Sequence, residues 1–312
     1  MAHIGIIGVG SYVPPHEMSN DDWAEIVDTS DEWITTKTGM KKRRIADSDV
    51  CTSDLAVEAC KVALENSGLK VSDIDLIILA TSSPDVPMSS TAGIVQDKLG
   101  CTDCVAFDIN AVCAGWVHAL DIGSRFAGTE GYENVLVVGS EVYSRILNWG
   151  DRSTCVLFGD GAGAVVLSKV PEGKGIIGSW MMSDGSGSSV IEIPAGGTRI
   201  PIPSEGFEEG MQYFHMDGRA VWDFAIEAFP QAVLSVLERC GKTIDEVDLI
   251  IPHQANINII EKGMEKLGLP MGKTFTNLHK YGNTAGASVP IAMHEAFEEK
   301  RIAEGDLVVT VA

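Results

Sequence analysis

The chain has 312 residues, of which 45% are hydrophobic and 21% are charged, enough apolar material for a large core in two domains or one duplicated domain. Its formal net charge of −21 argues against general binding to nucleic acids or to anionic membranes, so an anionic ligand would need a local basic patch. The N-terminus has no basic segment followed by an apolar one, and no uncharged apolar run reaches about 18 residues, so we expect a cytoplasmic protein.

The predicted elements alternate as they do in α/β proteins. β-prone runs predict strands over 4–9, 75–80, 104–109 and 135–139. Helical patterns with plausible caps or stops cover 20–27, 31–38, 54–67, 91–99 and 114–126. Two further predictions are a strand pair over 156–169 and a long loop or cover over the Gly-, Ser- and Pro-rich residues 183–210.

Segments of the second half repeat segments of the first. The strand motif that ends at Ile78 recurs at Ile251, an offset of 173. Two more pairs match in order at offsets of 170 to 172, namely 5–8 with 175–178 and 135–138 with 307–310. We therefore predict two duplicated α/β halves, 1–170 and 171–312, whose corresponding strand ends meet near a pseudo-dyad.

Cys113 lies at the junction between a predicted strand and a predicted helix. Unpaired N–H groups and the positive end of the dipole at a helix N-terminus favour thiolate over thiol. The junction therefore predicts a nucleophilic cysteine in the half 1–170. A cysteine among Ala, Val and Gly can also be a small buried hydrophobe.

Seven cysteines at irregular spacing fit a reducing compartment and predict free thiols. Cys101 and Cys104 have the C-x-x-C spacing of redox and zinc sites, but no second pair and no suitably spaced histidine accompany them. We therefore expect no metal and no redox cofactor.

Two polar residues follow predicted strands of the second half. His253 comes just after the run 249–251, and Asn283 lies in the turn 281–286, which the duplication places opposite Cys113. Each alone fits a structural role, as a capped strand end or as a turn former. A thiol, an imidazole and a neutral amide together can run acyl transfer on a thioester.

The run Gly159–Ala164 superficially resembles a dinucleotide-binding fingerprint. It leads directly into the β-prone residues Val165–Leu167, whereas a phosphate-binding turn must open a helix. A nicotinamide oxidoreductase is therefore a remote alternative.

Five motifs, taken in order, resemble the β-ketoacyl-acyl-carrier-protein synthase III family of the thiolase fold over essentially the whole chain. They are Thr29–Ile34, Cys113–Gly115, Phe158–Ala164, Pro252–Asn256 and Tyr281–Thr284. The resemblance implies a thiolase-like fold with central sheets and buried helices between the layers.

The resemblance also implies a reaction. Cys113 would accept an acyl group from acyl-CoA, while His253 and Asn283 would promote decarboxylation of a malonyl thioester. The product would be a β-ketoacyl thioester that starts fatty acid synthesis, formed through an acyl-Cys intermediate without a cofactor. Neutral donors at His253 and Asn283 suit this role, because they can stabilise the enolate oxygen on which charge develops.

The only dense basic cluster of this acidic chain consists of Lys37, Lys41, Lys42, Arg43 and Arg44. Trp33 precedes it by one helical turn, which suits stacking of adenine and pairing with CoA phosphates. The resemblance implies the same site, with Trp33 and Arg152 on either side of the adenine and with Thr29 and Lys37 also binding CoA. A solvated charged surface is the alternative.

The resemblance implies docking of an acidic acyl-carrier protein on basic residues near the site. Lys262 and Lys266 fit this role, but Asp223, Asn258 and Glu265 stand where the family has basic residues. Docking of the carrier protein would therefore be weaker than in the family. A thioester without a carrier protein is the alternative extender. The chain also ends before the glycine-rich turn and last strand of the family, so we expect the sequence to lack that strand.

The dimeric family implies a homodimer in which the loop Val86–Ser89 reaches the neighbouring subunit's acyl pocket. Met88 aligns with a bulky residue that limits primer length. Because methionine repacks around different shapes, we expect tolerance of primers longer than acetyl. Ordinary interface packing by Met88 is the alternative.

Two rival functions use the same scaffold. The first is a condensing enzyme or acyltransferase of secondary metabolism with a carrier-free acceptor, which the altered docking residues favour. The second is a non-catalytic thiolase-fold partner subunit, which would lack one of the three catalytic residues that this chain retains.

Overall fold

The computed structural model describes residues 3–312, which alternate between strands and helices. The strands are β1 (Ile4–Tyr12), β2 (Glu17–Ser19), β3 (Lys42–Arg44), β4 (Leu76–Ala80), β5 (Val105–Ile109), β6 (Val135–Glu141), β7 (Gly161–Lys169), β8 (Ile191–Glu192), β9 (His215–Met216), β10 (Leu249–Pro252) and β11 (Val308–Val311). The helices are α1 (Asn20–Ala24), α2 (Asp31–Thr38), α3 (Thr52–Ser67), α4 (Thr91–Leu99), α5 (Gly115–Phe126), α6 (Gly218–Arg239), α7 (Ile257–Leu267), α8 (Leu278–Tyr281) and α9 (Ser288–Glu298).

The first half is built on a five-stranded mixed sheet in the order β1-β7-β6-β4-β5. β4 runs parallel to both β5 and β6, while β7 runs antiparallel to β1 and β6. All five residues of β4 are buried, which explains its uninterrupted apolar sequence, since a strand covered on both faces has no polar side. β5 is left as one edge of this sheet.

The second half repeats part of this sheet. β10 pairs in parallel with β11 and aligns Leu249 with Val308, just as β4 aligns Leu76 with Val135 on β6. Both partners lie 173 residues further along the chain, so the predicted repeat holds at Leu249, while at Val308 the offset is one residue longer than the predicted 172. It fails at 175–178, which forms no strand; Ile176 N instead donates a 2.7 Å hydrogen bond to a carbonyl of β1.

Helices separate and cover the two sheets. α3 packs on one face of the first sheet against β1, β6 and β7, while α5 packs against β4 and β6. α9 packs against β1 and β7 and also against β10, and most of its side chains are buried. A buried helix thus lies between the sheets, as predicted. On the other side of the second sheet, α6 packs on β11 in a separate apolar cluster.

α6 is the one helix within residues 3–312 that is long and apolar enough to cross a membrane, with 22 residues and a window of mean hydropathy 1.3. Length and composition alone are weak indicators of a span. Phe229, Val233 and Leu237 on this helix are buried in the protein core.

Two local predictions need correction. Residues 156–169 do not form a strand pair, because 151–158 fold into turns in which Thr154 N donates to the Asp151 carbonyl at 3.1 Å; only β7 is a strand. α1 is shorter than the predicted 20–27 and ends at Ala24. The predicted loop 183–210 is confirmed apart from one 3₁₀ turn and the two residues of β8.

The expectation of seven free thiols was wrong at Cys101 and Cys104. The structure joins their sulfur atoms in a disulfide in the turn between α4 and β5. This turn brings the two Cα atoms within 5.9 Å, a separation that a disulfide can span. The other five cysteines are free.

Candidate active site

Cys113 lies where the chain passes from β5 to α5. Val112–Ala114 form a short 3₁₀ turn, and Val112 takes the left-handed conformation with a φ of +50°. The side-chain oxygen of Asn110 accepts a 3.2 Å hydrogen bond from Val112 N. Positive φ is costly for a β-branched residue and persists only where the surrounding structure enforces it. Cys113 thus directly follows a strained residue at the predicted strand-to-helix junction.

The protonation state of Cys113 differs from the expectation. Burial raises the pKa of its thiol to about 12, and the negative charge of Glu141 adds to the rise. Desolvation of the thiolate therefore outweighs stabilisation by the helix N-terminus. The Cys113 side chain is therefore a neutral thiol at neutral pH.

The second half contains a matching junction. Ala285–Ala287 form another 3₁₀ turn before α9, and Ala285 has a φ of +43°. Val112 and Ala285 are 173 residues apart, the offset that also relates β4 to β10. A Cβ atom added at Gly286 would lie 3.3 Å from the Val112 carbonyl oxygen. The two turns therefore face each other, as the duplication predicts.

His253 directly follows β10, and its backbone N–H donates a 2.7 Å hydrogen bond to the Val311 carbonyl. Its Nδ1 lies 2.6 Å from Oγ of Ser288, the first residue of α9. Burial lowers the pKa of His253 to about 4, so the imidazole is neutral at pH 7. When the Ser288 hydroxyl donates to Nδ1, the proton of the neutral ring resides on Nε2, which can then donate to a substrate.

The amide of Asn283 is oriented by its neighbours. Its Oδ1 accepts a 2.8 Å hydrogen bond from Ala285 N. Its backbone N–H donates to Leu157 O at 2.9 Å, and its carbonyl accepts from Gly159 N at 3.1 Å. Because Oδ1 is already an acceptor, the Nδ2 amino group is the part of the side chain available as a donor.

The segment 283–288 links the three predicted catalytic residues. Ala285 belongs to a buried cluster that Cys113 packs against. The same segment carries Asn283 and supplies the Ser288 hydroxyl to His253. A thiol and two neutral hydrogen-bond donors therefore share one site.

Ser288 and Glu141 are two residues of the site that the sequence did not predict. Ser288 lies 35 residues from its partner His253, and nothing in the local sequence indicates the contact. Glu141 is fully buried, which is unusual for a carboxylate. The one sequence signal for it is a charged residue at the end of the apolar run of β6. Burial raises the pKa of Glu141 to about 7 despite several hydrogen bonds to its carboxylate.

The predicted CoA-binding residues gather around the start of α2. Arg152 Cζ lies 5.4 Å from the ring centre of Trp33, and Arg152 Nη1 donates to the Asp28 carbonyl at 2.6 Å. The adjacent Thr29 hydroxyl is buried and bonds to no residue of the described chain. Lys37 is exposed in the last turn of α2, one turn beyond Trp33. An aromatic face and two cations therefore lie side by side.

The basic cluster is smaller than the sequence suggested. Arg43 is fully buried and donates to Asn20 Oδ1 and to the Val156 carbonyl. Lys42 pairs with Glu17 at 2.6 Å, as does Arg44 at 3.3 Å. These three cations therefore already have partners within the chain, which leaves fewer free cations in the cluster than the sequence suggested.

The predicted docking lysines are both paired with glutamates. Lys262 Nζ lies 2.7 Å from Glu265, and Lys266 pairs with Glu227. Asn258, at a position expected to be basic, donates to the Lys37 carbonyl at 2.9 Å. This surface therefore carries little net positive charge.

Met88 is 90% exposed. It borders a shallow depression beside Thr81, Asp108 and Asn110 and is not part of the cluster that Cys113 packs against. Within a single chain, Met88 therefore does not line the space around the sulfur. Among residues 3–312, no three His, Cys, Asp or Glu side chains are grouped so that they could hold a metal ion.

Comparison with known proteins gives a consistent result. The profile described as 3-Oxoacyl-[acyl-carrier-protein (ACP)] synthase III matches residues 107–185, and its C-terminal counterpart matches 237–312. The chain is 50% identical to a β-ketoacyl-[acyl-carrier-protein] synthase III of Caldanaerobacter subterraneus subsp. tengcongensis, across 99% of this chain and 93% of the relative.

Solved structures agree. A 3-oxoacyl-[acyl-carrier-protein] synthase III from Aquifex aeolicus superposes with a TM-score of 0.90 at 42% identity, covering 98% of this chain and 94% of that one. The priming β-ketosynthase of the R1128 polyketide biosynthetic pathway superposes with a TM-score of 0.89 at 30% identity, covering 99% and 92%. The predicted thiolase-like fold is therefore confirmed.

Proposed function

The chain belongs to the β-ketoacyl-[acyl-carrier-protein] synthase III family, and on that premise we propose how its residues carry out the condensation that initiates fatty acid synthesis. The enzyme is an acyltransferase. It joins an acyl-CoA primer to a malonyl thioester with loss of CO₂ and CoA. The observation that supports the residue assignment is the segment 283–288, which links Cys113, His253 and Asn283 in one site.

The first half-reaction is acylation of Cys113. The sulfur attacks the carbonyl carbon of acyl-CoA, the new C–S bond forms, and the bond to the CoA sulfur breaks. Since burial raises the pKa of the Cys113 thiol to about 12, its proton departs during the attack and ends on the CoA thiol. The acyl group stays on Cys113 as a thioester.

The second half-reaction is decarboxylative condensation. As CO₂ leaves the malonyl thioester, the electron pair of the broken C–C bond moves onto the thioester oxygen. His253 Nε2 and Asn283 Nδ2 donate hydrogen bonds to that oxygen and stabilise the enolate. The enolate carbon then attacks the acyl carbon on Cys113, whose sulfur leaves as a thiolate and takes a proton from the solvent.

The primer is an acyl-CoA held at the start of α2. We assign Trp33 and Arg152 to the adenine, since an aromatic face and a guanidinium both stack on a purine. Lys37 is assigned to a phosphate, and the buried Thr29 hydroxyl, which has no partner in the described chain, is assigned to a polar group of CoA. No bound cofactor enters this mechanism. Because CoA thioesters are cytoplasmic metabolites, we place the enzyme in the cytoplasm.

The extender is a malonyl group on acyl-carrier protein, and the docking site is the surface around Lys262 and Lys266. Both lysines have glutamate partners, so the carrier must compete with these ion pairs. The low positive charge of this surface is the one observation that favours the rival condensing enzyme, whose substrate is not bound to a carrier protein. The 50% identity to a β-ketoacyl-[acyl-carrier-protein] synthase III weighs against that rival.

We also propose that the enzyme is a homodimer. β5 is an open edge of the five-stranded sheet, and its first residue Val105 is 48% exposed. Unpaired edge strands readily pair with another chain. A second copy on this edge would bring the exposed Met88 of each chain toward its neighbour's acyl pocket.

Intact-mass analysis with acetyl-CoA tests the residue assignment. Wild type should gain one acetyl group, and Cys113→Ser should gain none. The control Cys51→Ser, at an exposed free cysteine, should behave as wild type. A normal adduct on Cys113→Ser would show that another residue is the nucleophile.

Two measurements on the same variants separate the half-reactions. Intact mass reports acetylation of Cys113, and the rate of malonyl decarboxylation reports the second step. His253→Ala and Asn283→Ala should still be acetylated, but each should lose malonyl decarboxylation by about 100-fold, since removing one oxyanion donor typically costs that much. Normal decarboxylation in both variants would assign these residues to structure instead.

A further inference from the structure

Glu141 is a buried carboxylate near the Cys113 turn that the proposed reaction does not use. It is the last residue of β6, and its side chain is fully buried. A Cβ atom added at Gly286 would lie 3.1 Å from Glu141 Oε1 and 3.3 Å from the Val112 carbonyl oxygen. That carbonyl belongs to the peptide bond between Val112 and Cys113. The carboxylate therefore lies close to the backbone of the nucleophile.

The loop 81–83, which follows β4, holds this carboxylate in place. Ser82 N donates to both oxygens of Glu141 at 3.2 and 3.1 Å, and Ser82 Oγ donates to Oε1 at 3.0 Å. Ser83 donates to Oε2 through its backbone N at 3.0 Å and its hydroxyl at 2.5 Å, and Thr81 Oγ1 donates at 3.2 Å. Donors to a carboxylate favour its charged form, which opposes the effect of burial. A buried network in which every member has a partner is also rigid.

Two titratable groups face Glu141, and one of them responds to its charge near neutral pH. The first is Cys113, because the negative charge of Glu141 contributes to the high pKa of its thiol. The second is Tyr143, whose hydroxyl lies 2.8 Å from Ser82 Oγ. Burial raises the pKa of Tyr143 well above its ordinary value, so this residue stays neutral. The loop 81–83 and the turn 285–287 bring no titratable side chain.

We propose that Glu141 is a positioning residue whose carboxylate ties the loop 81–83 to β6 beside the Cys113 turn and whose negative charge keeps the resting nucleophile protonated. A nearby like charge disfavours the thiolate. Alkylating agents and oxidants attack cysteine in its thiolate form, so the charge protects Cys113 between turnovers. This inference rests on the proposed role of Cys113 as the nucleophile.

The protection depends on pH, because burial raises the pKa of Glu141 to about 7. Well below this pH the carboxyl is neutral, and well above it the charge is present. Glu141→Gln removes the charge and keeps the size of the side chain. The ratio of the Cys113 reaction rates in variant and wild type should therefore grow as the pH rises through 7, whereas a disturbance of structure would change that ratio equally at every pH.

The test is the rate at which methyl methanethiosulfonate modifies Cys113 between pH 6 and 9, followed by peptide mapping. Glu141→Gln should react about as fast as wild type at pH 6 and about 3-fold faster or more at pH 8.5, because a nearby like charge raises the pKa of a thiol. Asp160→Asn is the matched control. Asp160 is also a buried carboxylate, which accepts hydrogen bonds from Ser144 Oγ at 2.6 Å and Ala46 N at 2.8 Å, and its variant should show the same rate ratio at both pH values.

A Glu141→Gln ratio that is equal at pH 6 and pH 8.5, or a rise that Asp160→Asn reproduces, would overturn the inference. If Glu141→Gln does not fold, Thr81→Val decides. It removes one donor to the carboxylate, which raises the pKa of Glu141, so Cys113 should react faster than in wild type near pH 7.5 and equally fast at pH 9. Equal rates at both pH values would contradict the role of Glu141. The proposed function fails separately, if intact mass and peptide mapping find no acetyl group on Cys113 of the wild type after treatment with acetyl-CoA.

Discussion

Cys113 and His253 are both uncharged at neutral pH, although each belongs to a residue type that is often charged when it acts in catalysis. Burial raises the pKa of the Cys113 thiol to about 12 and lowers the pKa of His253 to about 4. In both cases the low-polarity surroundings disfavour the ion. In the proposed mechanism the site therefore meets its substrates as a set of neutral groups, and negative charge develops only on the substrate oxygen.

The first prediction concerns the reactivity of Cys113. With a pKa of about 12, the thiolate fraction should rise about tenfold per pH unit. Alkylation of Cys113 by iodoacetamide should therefore increase steadily from pH 7 to 9 without levelling off. Peptide mapping distinguishes Cys113 from the exposed Cys51. A plateau below pH 8 would show that the helix N-terminus controls the thiol after all.

The second prediction concerns His253. Its folded-state pKa of about 4 lies below the ordinary value of 6.5, so malonyl decarboxylation should stay constant from pH 8 to about 5 as far as this residue is concerned. The unfolded chain takes up the proton near pH 6.5 and the folded protein only near pH 4. The free energy of unfolding should therefore decrease as the pH drops from 6.5 to about 4.

Decarboxylation rates and thermal unfolding over pH 4 to 8 measure both effects. A decarboxylation rate that falls by half near pH 6.5 would mean that His253 titrates normally in the site.

At the scale of elements, the two junctions are the feature that organises the site. Each consists of a strand or loop end, a residue with positive φ, a 3₁₀ turn and a buried helix. The sequence predicted the position of both junctions because strand-like and helix-like periodicities change there. It did not predict the left-handed residues Val112 and Ala285, since neither Val nor Ala favours that conformation.

The third prediction concerns the packing of β7 on α9. A Cβ atom added at Gly163 would lie 2.7 Å from Pro290 Cβ and 2.8 Å from Ile291 N, which are parts of a rigid helix. Gly163→Ala should therefore lower the free energy of unfolding by about 1–3 kcal/mol, the usual cost of overpacking a core. Gly206→Ala, where no atom lies within 4 Å, is the control and should change it by less than about 1 kcal/mol. Chemical denaturation measures both, and equal effects would contradict this close packing.

At the scale of the whole molecule, the fourth prediction concerns assembly through β5. Val105→Lys places a charge on the open edge strand and should shift the dimer toward monomer, because charged side chains block edge pairing. Ile177→Lys is a matched control, since Ile177 is 56% exposed and follows Ile176, which bonds to β1 on the opposite edge. Light scattering coupled to size-exclusion chromatography reports the mass. A dimer that survives Val105→Lys but not Ile177→Lys would place the interface on the other edge.

Local sequence patterns were enough to predict the α/β class, most of the first-half elements and the three residues of the candidate site. These follow from local patterns: the buried strand β4 is a continuous apolar run, and α2 and α4 begin and end where predicted. The match between the two halves also placed Asn283 opposite Cys113. Such signals survive in one sequence because neighbouring residues decide periodicity and turns.

The protonation states and the supporting contacts could not be predicted from local patterns, because they depend on the tertiary structure. The partners that control them lie far apart along the chain: Ser288 is 35 residues from His253, and Ser82 is 59 residues from Glu141. Burial likewise turned Arg43 from an expected ligand for CoA into part of the core. Desolvation and hydrogen bonding depend on which distant residues enclose a group, and a local sequence pattern carries no record of that enclosure.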